Sequence, residues 1–236
     1  MKHLVLILPF LTLPVLADGT ETETCQTLQS TIDAMPSKQE LGNFLQKEVA
    51  QTMNLDALFS CSLHSNPSLP VQLEAEGYLH GDGWVPERSR LVRRVWGGKM
   101  FQKVADKTWL LNILYPTKSL TFAAEVYAGK SVKDHQPAII LDYRYDSTVK
   151  AVSQLFIRRI RDEIREITYQ GQGSGIYIGK AFIFRGKKKD LQQAEWEDRN
   201  NFTRFSVNFV LDFNQESDDT PAWIFEEMAN FEDKID

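Results

Sequence analysis

The sequence predicts a mainly β protein, an antiparallel barrel of about eight strands with an N-terminal helix and one or two short helices. Three observations point there. From Val71 onward, apolar and polar residues alternate with period two in one run after another. Turn-forming residues separate these runs at short intervals, so that neighbours pair as hairpins. A meander of that kind leaves two strand edges exposed, and closure into a barrel removes both.

The chain of 236 residues opens "MKHLVLILPFLTLPVLADG". Lys2 precedes an apolar run, Leu4 to Leu16, broken by Pro9, Thr12 and Pro14, and Ala17 closes a cleavage-site pattern. Residues 1–17 therefore read as a signal peptide, too short and too proline-broken for a membrane span. Export is the expected consequence: secreted or extracytoplasmic, in a periplasm or a secretory pathway. No later segment approaches the ~20 apolar residues of a spanning helix.

Residues 18–70 read as a leader and helical segment. "DGTETETCQTLQ" is polar and expected to be exposed, whereas "SKQELGNFLQKEVAQTM" reads as a helix. Ser37 and Glu40 form a capping box, and Leu41, Phe44, Leu45 and Val49 recur at helical spacing. The only cysteines are Cys25 and Cys61. In an oxidising compartment they are expected to pair as a disulfide.

Residues 71–213 hold the strand pattern of the barrel domain. "VQLEAEGYLH", "GGKMFQKV", "KTWLLNILY", "SLTFAAEVYA", "PAIILDYRY", "GIYIGKAFIF" and "NFTRFSVNFVLDF" alternate in turn, the last most clearly through Phe205, Val207, Phe209, Leu211 and Phe213. Helical interruptions are expected near Pro86 to Val95, where arginines interleave with apolar residues, and near Thr148 to Ile160. "GQGSG", Gly171 to Gly175, fits a turn with positive φ rather than a nucleophile elbow. "RGKKK", Arg185 to Lys189, fits a hairpin tip.

Residues 214–236 form an acidic tail. Between Asp212 and Asp236 lie nine acidic residues and one lysine, so a net charge of −5 divides into −8 there and about +3 elsewhere. That distribution argues against a nucleic-acid partner, which requires a concentrated basic face. The tail segment "TPAWIFEEMANF" could dock on a protein partner or on the barrel.

"FIRRIRDEIREI", Phe156 to Ile167, supports two readings. As a helix, Ile157, Ile160, Ile164 and Ile167 form one stripe, and Arg158–Asp162 and Arg159–Glu163 pair outside it. As a strand, charges alternate toward one face, and arginine forks beside carboxylates could guard a cavity. His64, His80 and His135 lack metal-ligand spacing, so neither a metal site nor a cofactor is expected. Asn201-Phe202-Thr203 is a sequon, which makes Asn201 a candidate for glycosylation.

"WGGKMF", "AIILDYR", "IRDEIREI" and "GIYIGKAF" resemble, in the same order, segments of uncharacterised lipocalin-like proteins. The similarity covers about Gly77 to Phe213 and implies a calycin-type barrel.

Such an interior is either packed solid or holds one small ligand. The reading favoured by the sequence is a ligand-binding protein for a small hydrophobic or amphipathic molecule. Trp109, Tyr127, Tyr143, Arg144, Arg161, Glu163, Arg165 and Tyr177 are its candidate ligand-binding residues. The alternatives are a barrel-scaffold enzyme using Asp142, Glu163 and Arg165 on a lipid-like substrate, or an interaction protein acting through its acidic tail.

Overall fold

A computed structural model describes residues 21–45, 55–61, 78–85, 94–104, 106–115, 117–145, 156–186, 198–214 and 222–228. The signal-peptide segment, the 86–93 arginine segment, most of Thr148 to Ile160 and most of "RGKKK" lie outside these residues.

Eight strands close into an antiparallel barrel, each pairing with the next and the last with the first. They are β1 (Tyr78–Trp84), β2 (Trp96–Val104), β3 (Lys107–Leu114), β4 (Ser119–Lys130), β5 (Pro137–Asp142), β6 (Ile160–Tyr169), β7 (Gln172–Phe184) and β8 (Phe202–Asp212). The alternating runs in the sequence become strands because side chains two apart share a face, and only one face can be covered by the lumen. The ambiguous segment resolves as a strand from Ile160, so Ile160 and Ile164 meet the lumen as period-two neighbours. Its link to β7 is the two-residue turn Gln170–Gly171, with φ +50° and +76°. Such a turn matches the twist of a hairpin, and Gly171 meets its positive φ without steric cost.

The lumen is packed by Leu79, Phe101, Leu110, Ile139, Ile164 and Leu211 with their neighbours. At the end where β1 begins, Phe213 meets Phe101 and Tyr177 at ring-centroid distances of 5.5 and 5.2 Å. Offset and edge-on aromatic contacts of this kind fill that end with side chains. Val207, Phe209 and Leu211 of β8, with Phe213 just past its end, all join this interior cluster, as their alternation requires.

The outer face is covered as well. Helices α1 (Glu21–Asp33), α2 (Lys38–Phe44) and α3 (Leu55–Cys61) lay Ile32, Leu41, Leu58 and Phe59 against Ile167, Ile178 and Val210. The Ser37 side chain caps α2 by accepting from Glu40 N at 3.1 Å. "ETETCQTLQ" is thus helical where an exposed leader was expected. Its apolar content is low, but Gln29 reaches the Thr168 carbonyl at 2.9 Å and Ile32 enters the outer cluster. Cys25 of α1 and Cys61 of α3 form the expected disulfide, with Cα atoms 5.1 Å apart. A fourth helix, α4 (Ala222–Met228), docks the tail on the barrel: Ile224 is buried against Met100, Leu111 and Ile113, and Trp223 stacks edge-on with Tyr115 at 6.0 Å. Among the described residues, no helix is long and apolar enough to cross a membrane.

One glycine sets the lumen's width. Gly179 of β7 faces Phe209 of β8, and a Cβ there would stand 2.1 Å from the Phe209 ring. Gly179→Ala is expected to push that ring inward and cost about 1–3 kcal/mol, as overpacked cores do. The urea midpoint of the variant measures it.

Candidate functional site

The opposite end of the barrel, where β1 ends and β2 begins, is not filled. It holds a cavity of ≈ 280 Å³, whose walls include Val85, Leu114, Phe122, Ile160, Ala181 and Phe209. Phe156, 47% exposed, is also part of the lining. The wall is almost wholly apolar, which makes its floor conspicuous.

Four polar side chains meet on that floor: Lys99 of β2, Asn112 of β3, Tyr143 just past β5, and Asp162 of β6. Each lies in phase with apolar lumen neighbours, Lys99 with Phe101, Asn112 with Leu110, Tyr143 with Leu141, and Asp162 with Ile164. Lys99 and Asn112 are a direct cross-strand pair. The lysine ammonium donates to Asn112 Oδ1 at 2.9 Å, to Tyr143 Oη at 2.6 Å and to Asp162 Oδ2 at 3.1 Å. Asn112 Nδ2 donates to Tyr143 Oη at 3.1 Å and to the Phe122 carbonyl at 3.0 Å, while Trp96 Nε1 donates to Asn112 Oδ1 at 3.0 Å. Tyr143 in turn donates to Asp162 Oδ2 at 3.1 Å. A charge pair removed from water is tolerated only when its hydrogen-bonding groups are met in this way.

The electrostatics follow from burial. Loss of water pulls the Lys99 ammonium below its ordinary pKa, and the Asp162 carboxylate beside it works in the opposite direction. The Trp96 and Phe209 rings flank the ammonium with centroids 5.5 and 5.2 Å away and present π density to the charge, while Tyr143 meets it through its hydroxyl.

Two irregularities build this floor. Between Trp96 and Gly98 the β2–β3 register slips, with Gly98 at φ +132°, a conformation closed to other residues where the Gly81 carbonyl would lie 2.2 Å from a Cβ. Between Leu110 and Asn112 the β3–β4 register slips too, and Phe122 takes φ +58°. A bulky residue held in the left-handed region costs energy that its surroundings must offset, and such strain gathers at functional sites. Here the Phe122 carbonyl is held by Asn112.

Of the residues expected to grip a ligand, Tyr143 lines the cavity and Tyr177 lies in the packed opposite end. The others stand on the outer wall. Trp109 packs in the cluster under α4, and Tyr127 in a cluster with Ile140 and Phe182. Tyr127 Oη meets Asp142 Oδ2 at 3.3 Å, and burial pushes the Tyr127 hydroxyl well above its usual pKa. Arg144 clasps Asp142 through Nε at 2.9 Å and Nη2 at 2.6 Å. Arg161 donates to Glu163 Oε1 at 2.8 Å and to the Lys130 carbonyl at 2.6 Å. Arg165 holds Asp134, the Phe59 carbonyl at 3.0 Å and the Phe59 ring at 4.2 Å, so it pins α3 to the barrel. The physical reason is phase: with Asp162 and Ile164 inward, residues 161, 163 and 165 must point out. Asp142 and Glu163, the two carboxylates of the enzyme reading, therefore share the outer wall, each bound by an arginine. Asn201 sits in a short 3₁₀ turn, Arg199–Asn201, where its carbonyl accepts from Arg185 N at 2.8 Å.

Glu163 has a consequence for stability. Its Oε1 accepts from Arg161 and from Val132 N at 2.9 Å, while Oε2 is buried with no hydrogen bond among the described residues. Burial raises its pKa above 4.5, against the pull of Arg161. The native chain thus keeps a proton that the unfolded chain has released, and stability present below pH 4.5 is lost as pH rises through the raised native value. Urea midpoints followed from pH 4.5 toward neutrality are expected to show this fall, and the Glu163→Gln chain is expected to lack that part of it. Asp212, also raised by burial, contributes the same sign in both chains, so the difference isolates Glu163.

Comparison with protein-family models, with curated proteins and with solved structures yields no match to this chain.

Proposed function

We propose that this barrel is an extracytoplasmic carrier or receptor for one small hydrophobic or amphipathic molecule, held at the end of the lumen above Lys99 and Asp162. The observation that carries this reading is the ≈ 280 Å³ cavity with apolar walls and a converging polar floor. Binding sites for small molecules combine these two features, and their volumes run from about 300 to 1,000 Å³. A cavity near the lower bound suits a short-chain or single-ring compound and excludes a two-chain lipid. The signal-peptide pattern and the Cys25–Cys61 disulfide support an oxidising compartment for it.

Extraction of protein purified from its host, with the small molecules identified by mass spectrometry, tests this reading. One compound in near-stoichiometric amount, lost when the cavity is filled by mutation, is the expected result. A blank extract, together with failure of small apolar probes to bind the purified chain, would contradict it.

A further inference from the structure

The hydrogen-bond inventory of the floor specifies what it lacks. An ammonium has three protons, and Lys99 gives all of them to Asn112, Tyr143 and Asp162. Both amide protons of Asn112 are used, on Tyr143 and on the Phe122 carbonyl. The Trp96 indole proton goes to Asn112 and the Tyr143 hydroxyl proton to Asp162. Every donor on the floor is therefore committed.

The acceptors are not all used. Asp162 Oδ2 receives Lys99 and Tyr143, but Oδ1 of the same carboxylate accepts no hydrogen bond from any described residue. Asp162 is part of the cavity lining, and its side chain keeps 8% of its surface. A ligand that seats against this oxygen removes it from water, and only a ligand that supplies a donor avoids leaving a buried carboxylate oxygen unmet.

We infer that the cavity selects an uncharged molecule bearing a hydroxyl, an aliphatic alcohol or a phenol, and that the hydroxyl donates to Asp162 Oδ1. This rests on the ligand-binding reading above and narrows it to a chemical class. Ethers, aldehydes and ketones carry only acceptors and find no donor on the floor. A carboxylic acid brings its anion against Asp162. An amine brings a second cation beside Lys99, where a lysine and an aspartate already balance.

The test uses congeners of equal length on the full mature chain: hexan-1-ol, methyl pentyl ether, hexanal, hexanoate and hexylamine, titrated by calorimetry at neutral pH. Hexan-1-ol is expected to bind about ten-fold or more tightly than the ether, which has the same heavy-atom count, as a hydrogen bond to a charged acceptor implies. In Asp162→Asn that advantage is expected to shrink or reverse, because an amide can also donate. If that variant does not fold, the ranking in the unmodified protein decides alone. Equal binding of alcohol and ether would overturn the hydroxyl assignment and leave the ligand-binding reading standing. Preference for hexanoate, hexanal or hexylamine would overturn it likewise, and binding of none would remove both.

Discussion

Replacing Lys99 by alanine is expected to destabilise the protein by about 3–5 kcal/mol, the usual cost of removing one partner from a buried ion pair. The size follows from position. Lys99 retains 2% of its side-chain surface and Asp162 8%. Without the ammonium, Asp162 keeps only Tyr143 as a donor, and Asn112 loses one of the two donors to its Oδ1. The paired change Lys99→Met with Asp162→Leu is expected to lie within about 1.5 kcal/mol of the parent, since well-packed apolar residues often replace buried pairs at little cost. Urea denaturation of the two single variants and the double variant forms the cycle that separates these outcomes. Its sign with pH is also fixed. Burial sets the folded pKa of Lys99 below 10.5, so between the two values the unfolded chain binds more protons, and stability rises with pH in that window. The double variant is expected to lose that rise.

Removing the disulfide by Cys25→Ser with Cys61→Ser is expected to cost about 3–4 kcal/mol. A bridge across a separation of 36 residues restricts the unfolded chain, and about 4 kcal/mol is the chain-entropy value for such a loop. In the native state the bridge ties α1 to α3, and α3 covers the outer wall of β6 to β8 with Leu55, Leu58 and Phe59. Arg165 and Lys180 also reach α3, through the Phe59 carbonyl and the Asp56 carboxylate. These polar ties are expected to keep the helix docked below the melting temperature. The cavity lies in the lumen, on the other side of the wall, so ligand affinity at low temperature is expected to stay within about two-fold of the parent, since sites without shared partners act independently. Thermal unfolding with and without reductant measures the first claim, and calorimetry on the reduced chain the second.

The fold was legible in the sequence because period-two alternation is a local signal that a lumen makes global. The runs from "GGKMFQKV" to "NFTRFSVNFVLDF" map onto β2 to β5, β7 and β8, whereas β6 falls on the segment that the sequence left open between helix and strand; the cap at Ser37 marks the start of α2. The helix α1 was not legible: Thr and Glu dominate its first turn, and its docking depends on a disulfide, on hydrogen bonds of Gln29 and Asp33 to residues 168 and 170, and on Ile32 with half-buried Leu28 rather than on a long apolar stripe. The site was legible only in part. The arginines of "IRDEIREI" attract attention because they are many, yet the strand's phase turns them outward and leaves the single Asp162 inside. The residues that mattered were isolated polar ones at inward positions: Lys99 two before Phe101, Asn112 two after Leu110, Asp162 two before Ile164. Period-two phase alone could have flagged these three. Trp96 could not be found that way, because the slip at Gly98 changes the phase of β2 before it is reached. A bulge depends on backbone packing between strands, and a single sequence carries little trace of it.

Calorimetric titration of hexan-1-ol into the protein and into its Ala181→Phe variant decides whether the lumen holds a ligand site. Ala181 lines the cavity and is 5% exposed, so a phenyl ring there occupies the space a ligand would need. The expected result is one binding event per chain in the parent and none in a variant that retains its fold by circular dichroism. Equal binding to both would contradict a ligand site in the lumen, and binding to neither would mean that this end of the barrel holds nothing.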